Sequence, residues 1–124
     1  MEFQALGKHV TAPSKTLETF PKPAHVTQVT MRSDEVTSLC PVTGQPDYET
    51  VTIDYEPDAL CIESKSLKLY LWSFREEGVF CEALAAEIAA DVFAAIHPFG
   101  CTVTVEQRPR GGITIRAVAH RERE

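Results

Sequence analysis

The spacing of apolar residues changes twice along this chain, and those changes restrict what it can fold into. Over residues 48–56, Val51, Ile53 and Tyr55 alternate with Thr50, Thr52 and Asp54, the period of two that sets one face of a β-strand against a core. Glu56-Pro57-Asp58 then gives a turn signal. From residue 64 the period becomes helical. Leu67, Tyr70, Leu71 and Phe74 fall at i, i+3, i+4 and i+7, with Ser64 as the expected N-cap and Gly78 as the stop. A second helix over residues 80–96 carries Leu84, Ile88, Val92 and Ile96 as one stripe and ends at His97-Pro98. The period then returns to two. Val103 and Val105 point inward from residues 102–106, and Ile113 and Ile115 from residues 112–118, with Arg110-Gly111-Gly112 at the hairpin turn.

A further alternation over residues 26–32, with Thr27, Val29 and Met31 on one side, gives one more strand. Residues 36–39 continue it after a bend at Ser33-Asp34. The resulting order is ββααββ, an α+β domain with an antiparallel sheet and two helices on one face. Such a sheet leaves exposed edges, which favours closure by self-association. Pro13, Pro21 and Pro23 make residues 1–24 an extended N-terminal arm. Residues 25–120 form the single domain and residues 121–124 a charged tail.

With 124 residues, 44% of them hydrophobic, the chain can bury a modest core. No apolar run approaches the length of a transmembrane helix, and Met1-Glu2-Phe3-Gln4 begins no charged and then apolar leader. A formal charge of -6 argues against broad binding to nucleic acid or an anionic membrane. Cys40, Cys61, Cys81 and Cys101 include no Cys-x-x-Cys pair, and His9, His25, His97 and His120 are scattered. Neither a metal site nor a disulfide framework is expected, and reduced thiols in a cytoplasmic protein are the reading.

Leu39-Cys40-Pro41-Val42-Thr43-Gly44-Gln45-Pro46-Asp47 joins the first two strands. Its prolines and glycine restrict the backbone between a thiol and a carboxylic acid. A thiolate is the strongest common side-chain nucleophile near neutral pH, so the loop reads as an attacking sulfur beside a proton donor. On the residues alone the better reading is a small buried residue followed by a turn with a solvated Asp, the commoner fate of a free cysteine. No Gly-x-Gly-x-x-Gly follows a strand, which excludes a Rossmann-type dinucleotide site.

Three further motifs follow that loop in order: Glu63-Ser64-Lys65-Ser66-Leu67-Lys68-Leu69-Tyr70, Phe80-Cys81-Glu82 and Arg110-Gly111-Gly112. Over residues 36–115 this set resembles the NADPH-dependent 7-cyano-7-deazaguanine reductases, the nitrile reductases of queuosine biosynthesis (QueF family), in their single-module form. The resemblance implies the tunnelling fold, in which subunits join sheets into a barrel, with active sites between subunits and two stacked pentameric rings. It implies that Cys40 bonds to the nitrile carbon as a thioimide and that Asp47 is the proton donor.

Glu82 would read the heterocycle, since a carboxylate offers two acceptors to paired N–H donors. Otherwise it is a solvated residue favoured by the helix dipole. The resemblance places Ile62, Glu63, Ser64 and Cys81 along the substrate pocket. Ser64, Lys65, Ser66 and Lys68 would hold the NADPH phosphate at a helix start, unless they are only a solvated helix face. Arg110 and Gly111 would add a phosphate contact across a subunit boundary, or be only a turn. The pathway ends on tRNA, but direct tRNA binding is not expected. One departure stands out: Cys81 occupies a position where the family usually has histidine. A thiol is a weak donor, so slower chemistry rather than a different reaction is expected. Two other readings remain, a non-redox pterin- or purine-type enzyme of the same fold and a non-catalytic deazapurine-binding module.

Overall fold

The structure, a computed structural model, describes residues 12–124. In chain order they form β1 (Thr19–Pro21), β2 (Val29–Leu39), β3 (Pro46–Glu56), β4 (Leu60–Ile62), α1 (Ser64–Trp72), α2 (Cys81–Ile96), β5 (Gly100–Arg110) and β6 (Ile113–Glu122). β2, β3, β5 and β6 make one antiparallel sheet in the order β2-β3-β5-β6. The inward residues of the alternating segments (Val51, Ile53, Tyr55, Val103 and Val105) are buried against Leu67, Tyr70, Leu71 and Phe74 and against the Leu84, Ile88, Val92 and Ile96 stripe. Each such side chain contributes roughly 1.5–3 kcal/mol by leaving water. The α+β arrangement follows from the three stretches of alternating and helical period.

The bend in β2 is a bulge. Ser33 pairs with Val51 but Val36 pairs with Glu49, so the register shifts between them. Before the shift Val29 and Met31 pack on the core; after it Val36 and Ser38 are buried. One extra residue exchanges the two faces of a strand, and here it turns the Ser38 hydroxyl inward.

Several expectations need correction. Glu63, not Ser64, caps α1: its backbone is extended, and its carboxylate accepts from Lys65 N and Ser66 N, each at 2.7 Å. The helix ends at Trp72 with Ser73 as its C-cap, well before Gly78. Ile113 is 68% exposed because it stands at the hairpin tip, where no element covers it. β6 runs on to Glu122, pairing Arg121 with Cys101 and Glu122 with Gly100, into residues read as a tail. β1 and β4 form a separate two-stranded sheet, which no period announced. Glu18 N donates to Ser66 Oγ at 2.9 Å and Glu63 N to Glu18 O at 2.8 Å, tying this part of the arm to α1. Residues 1–11 of the arm lie outside the described residues. Among the described residues, no helix is long and apolar enough to cross a membrane.

The β5–β6 turn is Gly111-Gly112, with φ of 59° and 79°. Two successive positive φ values define the hairpin turn whose twist matches its strands, and glycine adopts them without a Cβ penalty.

Candidate active site

Cys40 begins a six-residue loop between β2 and β3, closed by Cys40 N donating to Gln45 O and Gly44 N to Cys40 O, both at 2.8 Å. A second set of bonds holds the loop's base. Leu39 N donates to Glu77 O at 2.8 Å and Val79 N to Leu39 O at 3.1 Å. Gly78 packs so closely that a Cβ there would lie 3.4 Å from Pro41 Cα. The cysteine loop is thereby fastened to the segment that enters α2, whose first residues are Cys81 and Glu82.

Cys40 is free and partly exposed. The Thr43 side chain, then the Thr43 and Val42 backbone, hydrogen-bond to its sulfur and hold the thiol below its ordinary pKa; slight burial and the Asp47 charge oppose them. The loop thus holds a partly exposed cysteine and a buried Asp47, rather than a buried cysteine followed by a solvated Asp.

Asp47 is the first inward residue of β3 and is buried. The Arg110 guanidinium, at the end of β5, pairs with Asp47 through Nη1 and donates to Gln45 Oε1 through Nη2. Arg110 therefore binds the base of the cysteine loop within its own chain. It lines a small cleft of about 350 Å³ with Gln45, Tyr48 and Arg108. Gly111 is in the turn beyond it.

Beside Asp47 lies a residue the sequence reading passed over. Counting the inward phase of β3 back from Val51 reaches Glu49 and then Asp47, so the alternation itself carried the signal. Glu49 is 1% exposed. Ser38 Oγ, turned inward by the bulge, donates to Glu49 Oε1 at 2.8 Å, while the buried Oε2 has no hydrogen-bond partner. Burial pushes the Glu49 carboxyl up to about 7; the Ser38 bond moderates the effect and the Asp47 charge adds to it.

Cys81 is buried, with its Sγ 3.5 Å from Val105 O. Burial, followed by the charges of Glu49 and Glu82, pushes its thiol up to about 11. At neutral pH this favours the protonated thiol over the thiolate. Glu82 is exposed on the first turn of α2.

The lysine–serine motif is divided. Both Glu63 oxygens bind the α1 backbone, and buried Ser66 donates to Glu63 O at 2.9 Å while accepting from Glu18 N. Ile62 is buried, and its N–H donates to Tyr55 Oη at 3.0 Å. Ser64 and Lys68 are exposed, and Lys65 is partly exposed beside them. Ser64 and Lys68 line a cleft of about 810 Å³ between α1 and the β2–β3 face, with Arg32 also polar and Met31, Val36 and Leu71 apolar. Within one chain the structure thus gathers Cys40, Asp47, Cys81 and Arg110 around β3, and gives the exposed α1 residues a different cleft. Among the described residues no group of His, Cys, Asp and Glu is disposed to hold a metal ion.

A crystal structure titled as that of the archaeosine synthase QueF-Like in the apo form superposes on this chain with a TM-score of 0.73 at 25% identity, covering 77% of this chain and 93% of that one. The domain is an α+β tunnelling-fold enzyme, with Cys40 on a loop between two strands. Residues 46–124 match the QueF-like protein family. Proteins named NADPH-dependent 7-cyano-7-deazaguanine reductase are 51% identical over 115 residues in Alkalilimnicola ehrlichii (90% of this chain, 89% of that one) and 51% over 109 residues in Syntrophus aciditrophicus (86% and 78%). The Thiobacillus denitrificans protein of that name is 47% identical over 116 residues, or 92% of this chain and 84% of that one. The chain belongs to this family and is an oxidoreductase.

Proposed function

We propose that this chain reduces the nitrile of 7-cyano-7-deazaguanine to the aminomethyl group with NADPH, as a step in making queuosine for tRNA. The observation that carries the reading is Cys40, a partly exposed thiol with a lowered pKa on a hydrogen-bonded loop, with the Asp47 carboxyl close enough for its charge to act on the sulfur. A nitrile carbon accepts hydride poorly. Addition of the Cys40 thiol forms an S–C bond and moves the thiol proton to nitrogen, with Asp47 as the carrier, giving a thioimide that is a better acceptor. Two NADPH molecules, bound in turn, would each supply one hydride. Cys40 leaves as a thiol after the first, and the resulting imine becomes the amine after the second. Glu82, exposed at the start of α2, reads the ring through its two acceptor oxygens.

The α1 cleft has room for a dinucleotide and is lined by two cations and one acid, Glu35. Its volume is within the range of small-molecule sites, and Lys68 and Arg32 offer cations to a phosphate, with Lys65 nearby. Glu63 and Ser66 hold α1 in shape. That these residues line a different cleft from Cys40 within one chain supports a site completed by a neighbouring copy; two stacked pentamers are the assembly that the family resemblance implies. Four free cysteines suit a reducing compartment, the cytoplasm.

The test is the intact mass of the protein after mixing with the nitrile alone. A gain equal to the nitrile, lost in Cys40→Ala together with turnover, supports the covalent reading. Nitrile-dependent NADPH oxidation by Cys40→Ala would overturn it. Absence of any nitrile-dependent NADPH oxidation by the unsubstituted protein would overturn the reductase reading itself.

A further inference from the structure

The reduction consumes protons as well as hydrides. Addition of the Cys40 thiol needs none from outside, because the thiol proton ends on nitrogen. The thioimide, one hydride and one proton give the imine and restore the thiol; the imine, a second hydride and a second proton give the amine. Asp47 has one carboxyl and carries one proton at a time. It must therefore be reloaded between the two additions.

Glu49 is the next inward residue on the same strand. Same-face neighbours on a strand are separated by about 7 Å. Glu49 is sealed from solvent, one oxygen holds the Ser38 hydroxyl, and the other, also buried, is unpartnered. A buried charge without partners is expensive, whereas a neutral carboxylic acid in the same place costs far less. The groups that face it are Asp47 on its own strand, Ser38 from β2, Cys81 from α2 and Gln107, its partner on β5. Asp47 is engaged by Arg110 and Cys81 is a neutral thiol, so among the described residues no cation pairs with Glu49.

We propose that Glu49 is the proton reserve of this site, a carboxylic acid inside the sheet that reloads Asp47 between the two hydride additions. This rests on the reductase reading above. Its carboxyl, pushed up to about 7 by burial, holds its proton below neutrality and can release it near neutrality. Glu49 acts through Asp47 rather than on the substrate.

The test is kcat and KM against pH with the nitrile and NADPH, on the full chain. In the unsubstituted protein turnover falls above about pH 7 as Glu49 ionises. Glu49→Gln keeps the shape and the acceptor for Ser38 but carries no exchangeable acid. It should lower kcat at pH 6 by about tenfold or more, leave KM little changed, and abolish the limb near pH 7. Ser38→Ala removes a bond to the ionised form, so the limb should move to higher pH; this variant decides the matter if Glu49→Gln does not fold. A Glu49→Gln protein with unchanged kcat and limb, or a limb unmoved by Ser38→Ala, overturns the proposal. The mass of the unsubstituted protein with nitrile alone separates the two levels. No adduct on Cys40 removes the reductase reading itself, whereas an adduct with an unaltered Glu49→Gln profile removes only the proton reserve.

Discussion

Thr43 does more to favour the Cys40 thiolate than any ionised group near it. Its hydroxyl bond is the largest influence on the sulfur, and the nearest charge, on Asp47, acts the other way. The nucleophile is therefore tuned by neutral donors on its own loop rather than by an adjacent base. Thr43→Val removes the hydroxyl and keeps the shape, so the pH dependence of Cys40 alkylation should shift towards alkaline pH; an unmoved profile would refute the assignment. Glu49 makes a stability prediction of its own. Its folded-state pKa of about 7 lies above the ordinary 4.5, so the folded chain binds this proton more tightly than the unfolded chain. That contribution is fully present below about pH 4.5 and is lost as pH rises through 7. Thermal unfolding of the unsubstituted protein should show stability declining between pH 5 and 8 by up to roughly 2–3 kcal/mol from this group. Glu49→Gln should flatten that decline.

At the scale of elements, α1 is a nine-residue helix that depends on its cap. Helices this short are marginal on propensity alone, and Glu63 satisfies two of the first backbone donors at once. Glu63→Ala should cost on the order of 1–2 kcal/mol in denaturant unfolding. It should also speed hydrogen exchange at the β1–β4 pairing, because Ser66 binds both Glu63 and the arm; Glu63→Gln, with one acceptor left, should be milder. The elements legible in the sequence were those long enough to repeat a period, such as β3 and α2. β1 and β4 have three residues each and show no period. The β2 bulge was readable only as a bend, since an extra residue shows itself by its partner strand. Of the site, the cysteine loop and the lysine motif were visible locally. The Arg110–Asp47 pair joins residues 63 apart through sheet register, which no local pattern encodes. Glu49 was legible in phase, but its burial and unpartnered oxygen depend on what the bulge and α2 bring against it.

At the scale of the molecule, the edge strands of the sheet are β2 and β6; among the described residues β2 is bridged only at Leu39, by residues 77–79. Unpaired edge groups invite pairing with another copy, and Ile113 and Val118 on β6 are 68% and 52% exposed. Apolar residues along an open edge mark an interface more than a solvated surface. If a neighbour's edge completes the sheet, it also brings a second α1 cleft towards a Cys40 loop, and turnover should need assembly while thiol reactivity should not. The double variant Ile113→Asp and Val118→Asp sets like charges against the joined edges. Sedimentation should show it dissociated, and turnover should fall by more than about tenfold, as expected when reacting groups lose their fixed geometry. Alkylation of Cys40 should proceed at the unsubstituted rate, because Thr43 and Val42 act within the same loop. A dissociated variant with full turnover would mean that one chain holds the whole site, and that the α1 cleft serves the Cys40 loop of its own chain.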